Sequence, residues 1–325
     1  MPVADVAYKR LFAVTAFIVL LIIGPVIITQ ATRSDGRRLQ GAALDELQFA
    51  EIDFRNVEQG IDLAGMLFVP PGKGPFPAVV IIHGSGTSTR DSRWYLTLTR
   101  YLQERGVVVL LPDKRGSEKS GGNWRSASFE DLATDTVAAV RYVAEQDAAD
   151  VAGIGIIGMS QGGWIAPLVA DLSDDVKFVV SLAGAAVTPE EQLLYEEDFN
   201  LQQMGFLPGI SKMIALLSTT YIRKVAQPAF WDAVGDFDPL PYWERLDIDA
   251  LVLLGDQDTN VPSAESAARL QALDNPKIDI RMYEGSGHAI QSPAGSGDSI
   301  IRQDALEDIR GFIADVAASN NEATD

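Results

Sequence analysis

From residue 78 to residue 283, short apolar runs alternate with longer stretches of helical periodicity. The runs are 78–83 (AVVIIH), 107–112 (VVVLLP), 153–158 (GIGIIG), 178–182, 250–254 (ALVLL) and 278–283. A strand with one wet face alternates polar and apolar residues. A continuous β-branched run is covered on both faces, which marks a parallel sheet with helices on either side. Helical patterns fall between and after the runs, at 94–103, 129–145, 162–171, 263–273 and 300–317. Two earlier segments, 47–54 and 61–69, have period-two character around Glu58-Gln59-Gly60 and read as an antiparallel opening pair. The expectation is an α/β class chain with a doubly wound, mostly parallel sheet of eight strands flanked by helices.

One interval breaks the rhythm. Residues 184–248 contain no strand pattern, only amphipathic stretches at 189–204 and 210–225 and then aromatics at Phe230, Trp231, Tyr242 and Trp243. A long insertion in a compact fold is usually functional, and this one reads as a helical cap over the C-terminal edge of the sheet. The globular domain is expected to span 46–318, with a polar linker at 30–45 and a disordered tail at 319–325.

Before the linker, residues 11–29 (LFAVTAFIVLLIIGPVIIT) carry no charge. As a helix they would extend about 28 Å, close to the hydrocarbon thickness of a bilayer. The run is longer than the apolar core of a usual signal peptide, and its best cleavage site, Thr29-Gln30-Ala31, is weak. A single N-terminal transmembrane anchor is therefore expected, with the domain outside the cytoplasm. The alternative is a secreted or periplasmic protein after cleavage. Basic residues flank the run on both sides (Lys9 and Arg10; Arg33, Arg37 and Arg38), so the positive-inside rule does not set the orientation.

Composition closes off several chemistries. A net charge of −19 with no basic run argues against nucleic acid as a partner. With no cysteine, disulfides, thiolate nucleophiles and cysteine metal sites are excluded. Only His83 and His288 are present, which makes a histidine-rich metal site improbable.

The chemistry that remains centres on Gly158-Met159-Ser160-Gln161-Gly162, the only G-x-S-x-G in the chain. A buried strand pattern precedes it and a helical pattern (GGWIAPLVADL) follows. That is the setting for a nucleophile on a sharp strand-to-helix turn, where bulk two residues to either side is forbidden. A serine hydroxyl needs a base. His288 follows the last strand on a glycine-containing loop, whereas His83 ends a strand ahead of the nucleophile and is expected to bond loop backbone. The acid should follow a strand between serine and histidine. Asp256 and Asp258 both do. Asp258 is preferred because it is further from the strand end and the loop must reach across to the histidine. Backbone N–H groups are required for an oxyanion hole. Gln161 supplies one and Ser85 the other, with Gly86 as its alternate. Gly86, Met204 and Phe206 are the expected substrate contacts.

These residues resemble the α/β-hydrolase superfamily over roughly 46–318. The motifs that carry the resemblance are His83-Gly84-Ser85-Gly86, Asp113-Lys114-Arg115-Gly116 with Ser120-Gly121, the Gly158–Gly162 turn, Gly255 with Asp258 and Val261-Pro262, and Gly287-His288. Within it the chain looks like the branch of dienelactone-hydrolase-like esterases and prolyl-oligopeptidase-like peptidases. The resemblance implies an eight-stranded sheet with a helical cap, no cofactor and no metal, an acyl-enzyme, and Asp258 as the acid. Dienelactone hydrolases proper typically use a cysteine, and this chain has serine. The expected activity is hydrolysis of a small carboxylic ester by Ser160, His288 and Asp258. A serine peptidase or amidase acting on short peptides is the runner-up, and a silent binding protein on the same fold is a third reading.

Overall fold

In a computed structural model the described residues are 37–324. Their strands are β1 (Ala50–Asn56), β2 (Ile61–Phe68), β3 (Phe76–Ile82), β4 (Val108–Pro112), β5 (Ala149–Met159), β6 (Phe178–Leu182), β7 (Asp249–Gly255) and β8 (Ile278–Tyr283). They form one sheet in the order β1-β2-β4-β3-β5-β6-β7-β8. β2 pairs antiparallel with β1 and β4, and every other pairing is parallel. Eight strands, mostly parallel, is the architecture the apolar runs predict.

Alternation along each buried strand divides the core in two. Val79 and Ile81 of β3 and Leu251 and Leu253 of β7 face one layer, packed against Leu96, Leu98 and Leu102 of α1 (Arg93–Gln103) and Ile309 and Ile313 of α9 (Gln303–Thr324). Val80, Ile82, Val252 and Leu254 face the other layer. It is built from α2 (Phe129–Ala144), α3 (Gly162–Leu172) and α8 (Ser263–Ala272). Glycine in mid-strand has a local cause at Gly155 of β5. A Cβ there would overlap the Phe178 ring of the adjacent strand.

Four helices fill the interval between β6 and β7: α4 (Pro189–Gln203), α5 (Pro208–Tyr221), α6 (Pro228–Val234) and α7 (Leu240–Glu244), with a π-helical turn at Ile222–Ala226. Three of them begin on proline, whose missing N–H costs nothing in the first helical turn. Thr188 caps α4 in a capping box with Glu191. The expectation of helices without strands holds here.

Two terminal expectations are corrected. The segment 30–45 is not a free linker along its described part. Gln40 forms a bridge to Ser299, the Ala42 amide donates to Thr97 Oγ1 at 2.9 Å, and Ala42 is fully buried. Residues 40–42 thus pack against the N-terminal part of α1 and the segment just before α9. At the other end α9 runs to Thr324, so 319–324 are helical rather than a disordered tail. Asn320 and Asn321 donate to Ala152 O and Asp150 Oδ2 at 3.1 and 3.0 Å, which fastens the extra turn to β5. The run 11–29 lies outside the described residues. Among the described residues no helix is long and apolar enough to cross a membrane.

Candidate active site

The loops after β3, β5, β7 and β8 meet at the C-terminal edge of the sheet, where ligands bind in open α/β folds. Ser160 occupies the tight turn between β5 and α3 with φ of +54°, a left-handed conformation costing a non-glycine residue about 1–3 kcal/mol. The surrounding structure enforces it. The Ser160 amide donates to Leu182 O at 2.9 Å, and the Gly163 amide donates to Ser160 O at 2.8 Å. A Cβ on Gly158 would overlap the Gly162 carbonyl, and one on Gly162 would overlap the Ile82 carbonyl. The two glycines of the motif are therefore steric requirements of this turn.

Ser160 Oγ lies 2.9 Å from His288 Nε2, and His288 Nδ1 lies 2.8 Å from Asp258 Oδ2. The other carboxylate oxygen of Asp258, Oδ1, accepts the amides of Asn260 and Val261 at 2.8 and 2.9 Å. Both oxygens of this buried carboxylate are thus engaged, and its plane is fixed toward the imidazole. Trp94 stacks obliquely on His288 with centroids 5.7 Å apart, and its Nε1 donates to Ala289 O at 3.1 Å. The two candidate aspartates are clearly separated. Asp256 accepts the Gly285 amide at 2.7 Å, joining the β7 loop to the loop that carries His288, while the imidazole bonds Asp258.

His83 does what its place at a strand end suggests. Its Nε2 donates to Pro112 O at 2.6 Å, and its ring meets Tyr95 edge-on at 4.6 Å. Its Nδ1 is buried and has no hydrogen-bond partner among the described residues. Burial pushes its pKa down to about 4, so the ring is neutral near pH 7.

The loop after β3 carries Ser85 and Gly86 to the same cavity as Ser160 and Gln161. Gly84 passes so close that a Cβ there would stand 3.3 Å from Ser160 Cβ. Its own amide is taken, donating to Tyr95 Oη at 2.8 Å. The amides of Ser85 and Gln161 donate to no other protein group among the described residues. Gly86, at φ of +84°, lines the same cavity.

Sequence reasoning missed what holds these two donors together. Lys114, one residue beyond the sheet's β4 loop entry at Asp113, is buried. Its Nζ donates to Gly84 O at 2.8 Å, Gly86 O at 3.2 Å and Gln161 Oε1 at 2.7 Å. One ammonium thus bonds both sides of the prospective oxyanion hole. Burial pushes its pKa down to about 7, while three acceptors around three N–H bonds favour the protonated form. The flanking charges are neutralised separately. Asp113 takes a two-pronged bond from Arg90, at 2.9 and 2.7 Å, and Arg115 forks onto Asp135 at 2.6 and 2.8 Å. The signal available in the sequence was three consecutive charges, Asp113-Lys114-Arg115, at the end of a buried strand. Such charges must be paired inside the fold.

Ser160, Gln161, Ser85, Gly86 and His288 open into a cavity of about 580 Å³. Its walls carry Trp124 and Trp164 from the domain and Leu193, Ile222, Phe230 and Trp231 from the inserted helices, with Glu196 and Glu197 of α4 among them. Of the other expected substrate contacts, Met204 lines an adjoining cleft that shares Trp94, Asn260 and His288 with this cavity, and Phe206 packs against Leu201, Ile214 and Ala215 between α4 and α5. Amphipathic spacing shows that these helices have apolar faces but not what each face meets. Among the described residues no cluster of three or more His, Asp or Glu side chains could hold a metal ion.

Comparison with known proteins agrees with this architecture. The chain is 25% identical over 253 residues to esterase EstD of Thermotoga maritima, covering 73% of this chain and 60% of EstD. It is 27% identical over 274 residues to acyl-coenzyme A thioesterase 5 of Mus musculus, covering 80% and 60%. The chain thus spans about three fifths of the length of these curated relatives. In fold it resembles an esterase of Pyrococcus furiosus with a TM-score of 0.61 at 17% identity, covering 87% of this chain and 96% of the other. Residues 93–317, more than half the chain, match the profile of the prolyl oligopeptidase family, and the chain belongs to that family, on the α/β-hydrolase fold.

Proposed function

We propose that the protein is a serine hydrolase that cleaves carboxylic esters through an acyl-enzyme. The observation that carries this reading is the unbroken relay from Asp258 through His288 to Ser160, at 2.8 and 2.9 Å, on the floor of an aromatic-walled cavity. His288 takes the Ser160 proton as Oγ attacks the acyl carbon, and Asp258 holds the ring in the tautomer with its proton on Nδ1. The Ser85 and Gln161 amides receive the oxyanion, at the N-terminus of α3 where the helix dipole also favours negative charge. His288 then protonates the departing alcohol, and water repeats the sequence to release the acid. Lys114 acts as a positioning residue, setting the separation of the two amide donors.

The inserted helices serve as the cap, because Leu193, Phe230 and Trp231 supply much of the apolar wall that would meet an acyl group. One observation favours a second reading. Glu196 and Glu197 stand in the same wall, which suits a substrate bearing an ammonium group, such as an aminoacyl amide. Acyl esters of graded length and aminoacyl anilides, assayed with wild type and Ser160→Ala in parallel, separate the two. Esters cleaved faster than anilides, with loss of several orders of magnitude in Ser160→Ala, support the first reading. A folded Ser160→Ala enzyme with undiminished turnover overturns both.

A further inference from the structure

Helix α5 is turned inside out. The face it packs against α4 carries Ser211, Ile214, Ala215, Ser218 and Thr219, spaced three and four apart and all buried. Two of these are held by carboxylates of α4: Ser211 Oγ donates to Asp198 Oδ1 at 2.5 Å, and Ser218 Oγ donates to Glu197 Oε2 at 3.1 Å. The opposite face carries the large aliphatic side chains. Ile210, Met213, Leu216 and Leu217, with Leu207 just before the helix, are each between 45 and 69% exposed. A surface helix in water ordinarily shows the reverse. Clusters of this kind on an otherwise polar protein mark a contact surface.

Charge identifies the partner. In a chain of net charge −19, the stretch 199–231 contains no Asp or Glu but has Lys212, Arg223 and Lys224. Lys212 and Lys224 are exposed, and Arg223 is paired with Glu190. Aliphatic side chains rimmed by lysine suit the interface of an anionic bilayer, with the apolar groups below the headgroups and the ammoniums among the phosphates. An acidic protein would otherwise be repelled from such a surface. The uncharged run 11–29 gives the same chain a second sequence feature fitted to lipid. We propose that the exposed face of α5 is a docking surface for an anionic phospholipid bilayer, seating the inserted helices at the headgroup level. This goes beyond the hydrolase reading and stands independently of it.

The absence of cysteine makes the test direct, since any introduced thiol is unique. Full-length Met213→Cys and Leu217→Cys are labelled with nitrobenzoxadiazole, and Val57→Cys and Val151→Cys, both exposed apolar sites on the sheet domain, serve as references. Each is reconstituted into phosphatidylcholine vesicles with phosphatidylglycerol and doxyl-labelled lipid. The expected result is quenching at 213 and 217 several-fold stronger than at 57 and 151. Lys212→Glu combined with Lys224→Glu should reduce that quenching toward the reference level, leaving hydrolysis of a soluble ester unchanged. Equal quenching at all four sites in vesicle-bound protein overturns the proposal. So does ready disulfide dimerisation of unlabelled Met213→Cys or Leu217→Cys in those vesicles together with weak lipid quenching, which would mean that a second copy of the chain and not lipid covers the face.

Discussion

Replacing Lys114 by methionine keeps most of the side chain's length and removes its three N–H donors. The acceptors differ in what they lose. Gln161 can rotate its amide, and Gly86 borders the cavity where water can replace the lysine. Gly84 O is the acceptor least able to find another donor, and an unsatisfied buried carbonyl costs about 1–3 kcal/mol. Relief from burying an ammonium offsets part of this, so global stability should change by less than about 2 kcal/mol. Catalysis should suffer more. Removing an oxyanion donor outright costs about 10²–10³ in kcat, and loosening both walls without removing either amide should cost about 10–100-fold. KM for a short p-nitrophenyl ester should change little, because the ground-state carbonyl does not depend on that alignment. The assay is steady-state hydrolysis alongside fluorophosphonate labelling and thermal unfolding, with Lys114→Arg as a charge-preserving control. A Lys114→Met enzyme with wild-type Tm and kcat within about twofold of wild type would refute the claim that this ammonium sets the oxyanion geometry.

Three other outcomes are expected. Asp258→Asn should lower kcat by about 10³–10⁴ by favouring the wrong histidine tautomer, and Asp256→Asn far less, as measured by ester turnover; equal losses contradict the assignment. Because His83 takes a proton in the unfolded chain near pH 6.5 but resists it in the fold until about pH 4, it lowers stability as pH falls through that window. Urea unfolding at pH 7 and pH 4 should show about 3 kcal/mol of acid-induced loss in wild type that is missing from a folded His83→Gln variant. Phe230→Ala or Trp231→Ala should shift the ranking of acyl chain lengths by about tenfold in kcat/KM, whereas Phe206→Ala should change Tm and leave the ranking intact.

The parts legible in the sequence were those whose cause is local. Buried strands announce themselves by unbroken apolar runs, and the nucleophile turn by two glycines that its own backbone requires. Of the inserted helices, only the start at Pro189 is read from the sequence; the second stretch is expected from Ile210 rather than Pro208, and the short helix opened by Pro228 is not read at all. Histidine and acid could be placed because each follows a strand, and strand ends collect at one edge. Lys114 is read only as part of a family motif; its contacts escaped because the three acceptors come from two other loops, and no periodicity links residues 84, 86, 114 and 161. Met204 and Phe206 are expected at the substrate because they are apolar residues of the inserted interval; that composition does not say which of them lines a cleft with His288, as Met204 does, and which packs between α4 and α5, as Phe206 does. Helix α5 is the extreme case, where Ser211, Ser218 and Thr219 pack beside Ile214 and Ala215 while most of its large aliphatic side chains face outward.

The hydroxyl of Tyr195, on α4, donates to the backbone carbonyl of Asp258 at 2.9 Å, and Arg269 of α8 forks onto Glu191 of the same helix at 2.8 and 2.9 Å. The first inserted helix is thereby fastened to the loop that carries Asp258. Two sites joined through one strut share a coupling free energy, and such coupling runs equally in both directions. On the mechanism proposed above, a substrate group pressed against α4 should steady the carboxylate behind His288, and a steadied carboxylate should in turn strengthen the grip on that distant group. Trimming the remote end of a substrate should therefore register in kcat as well as in KM.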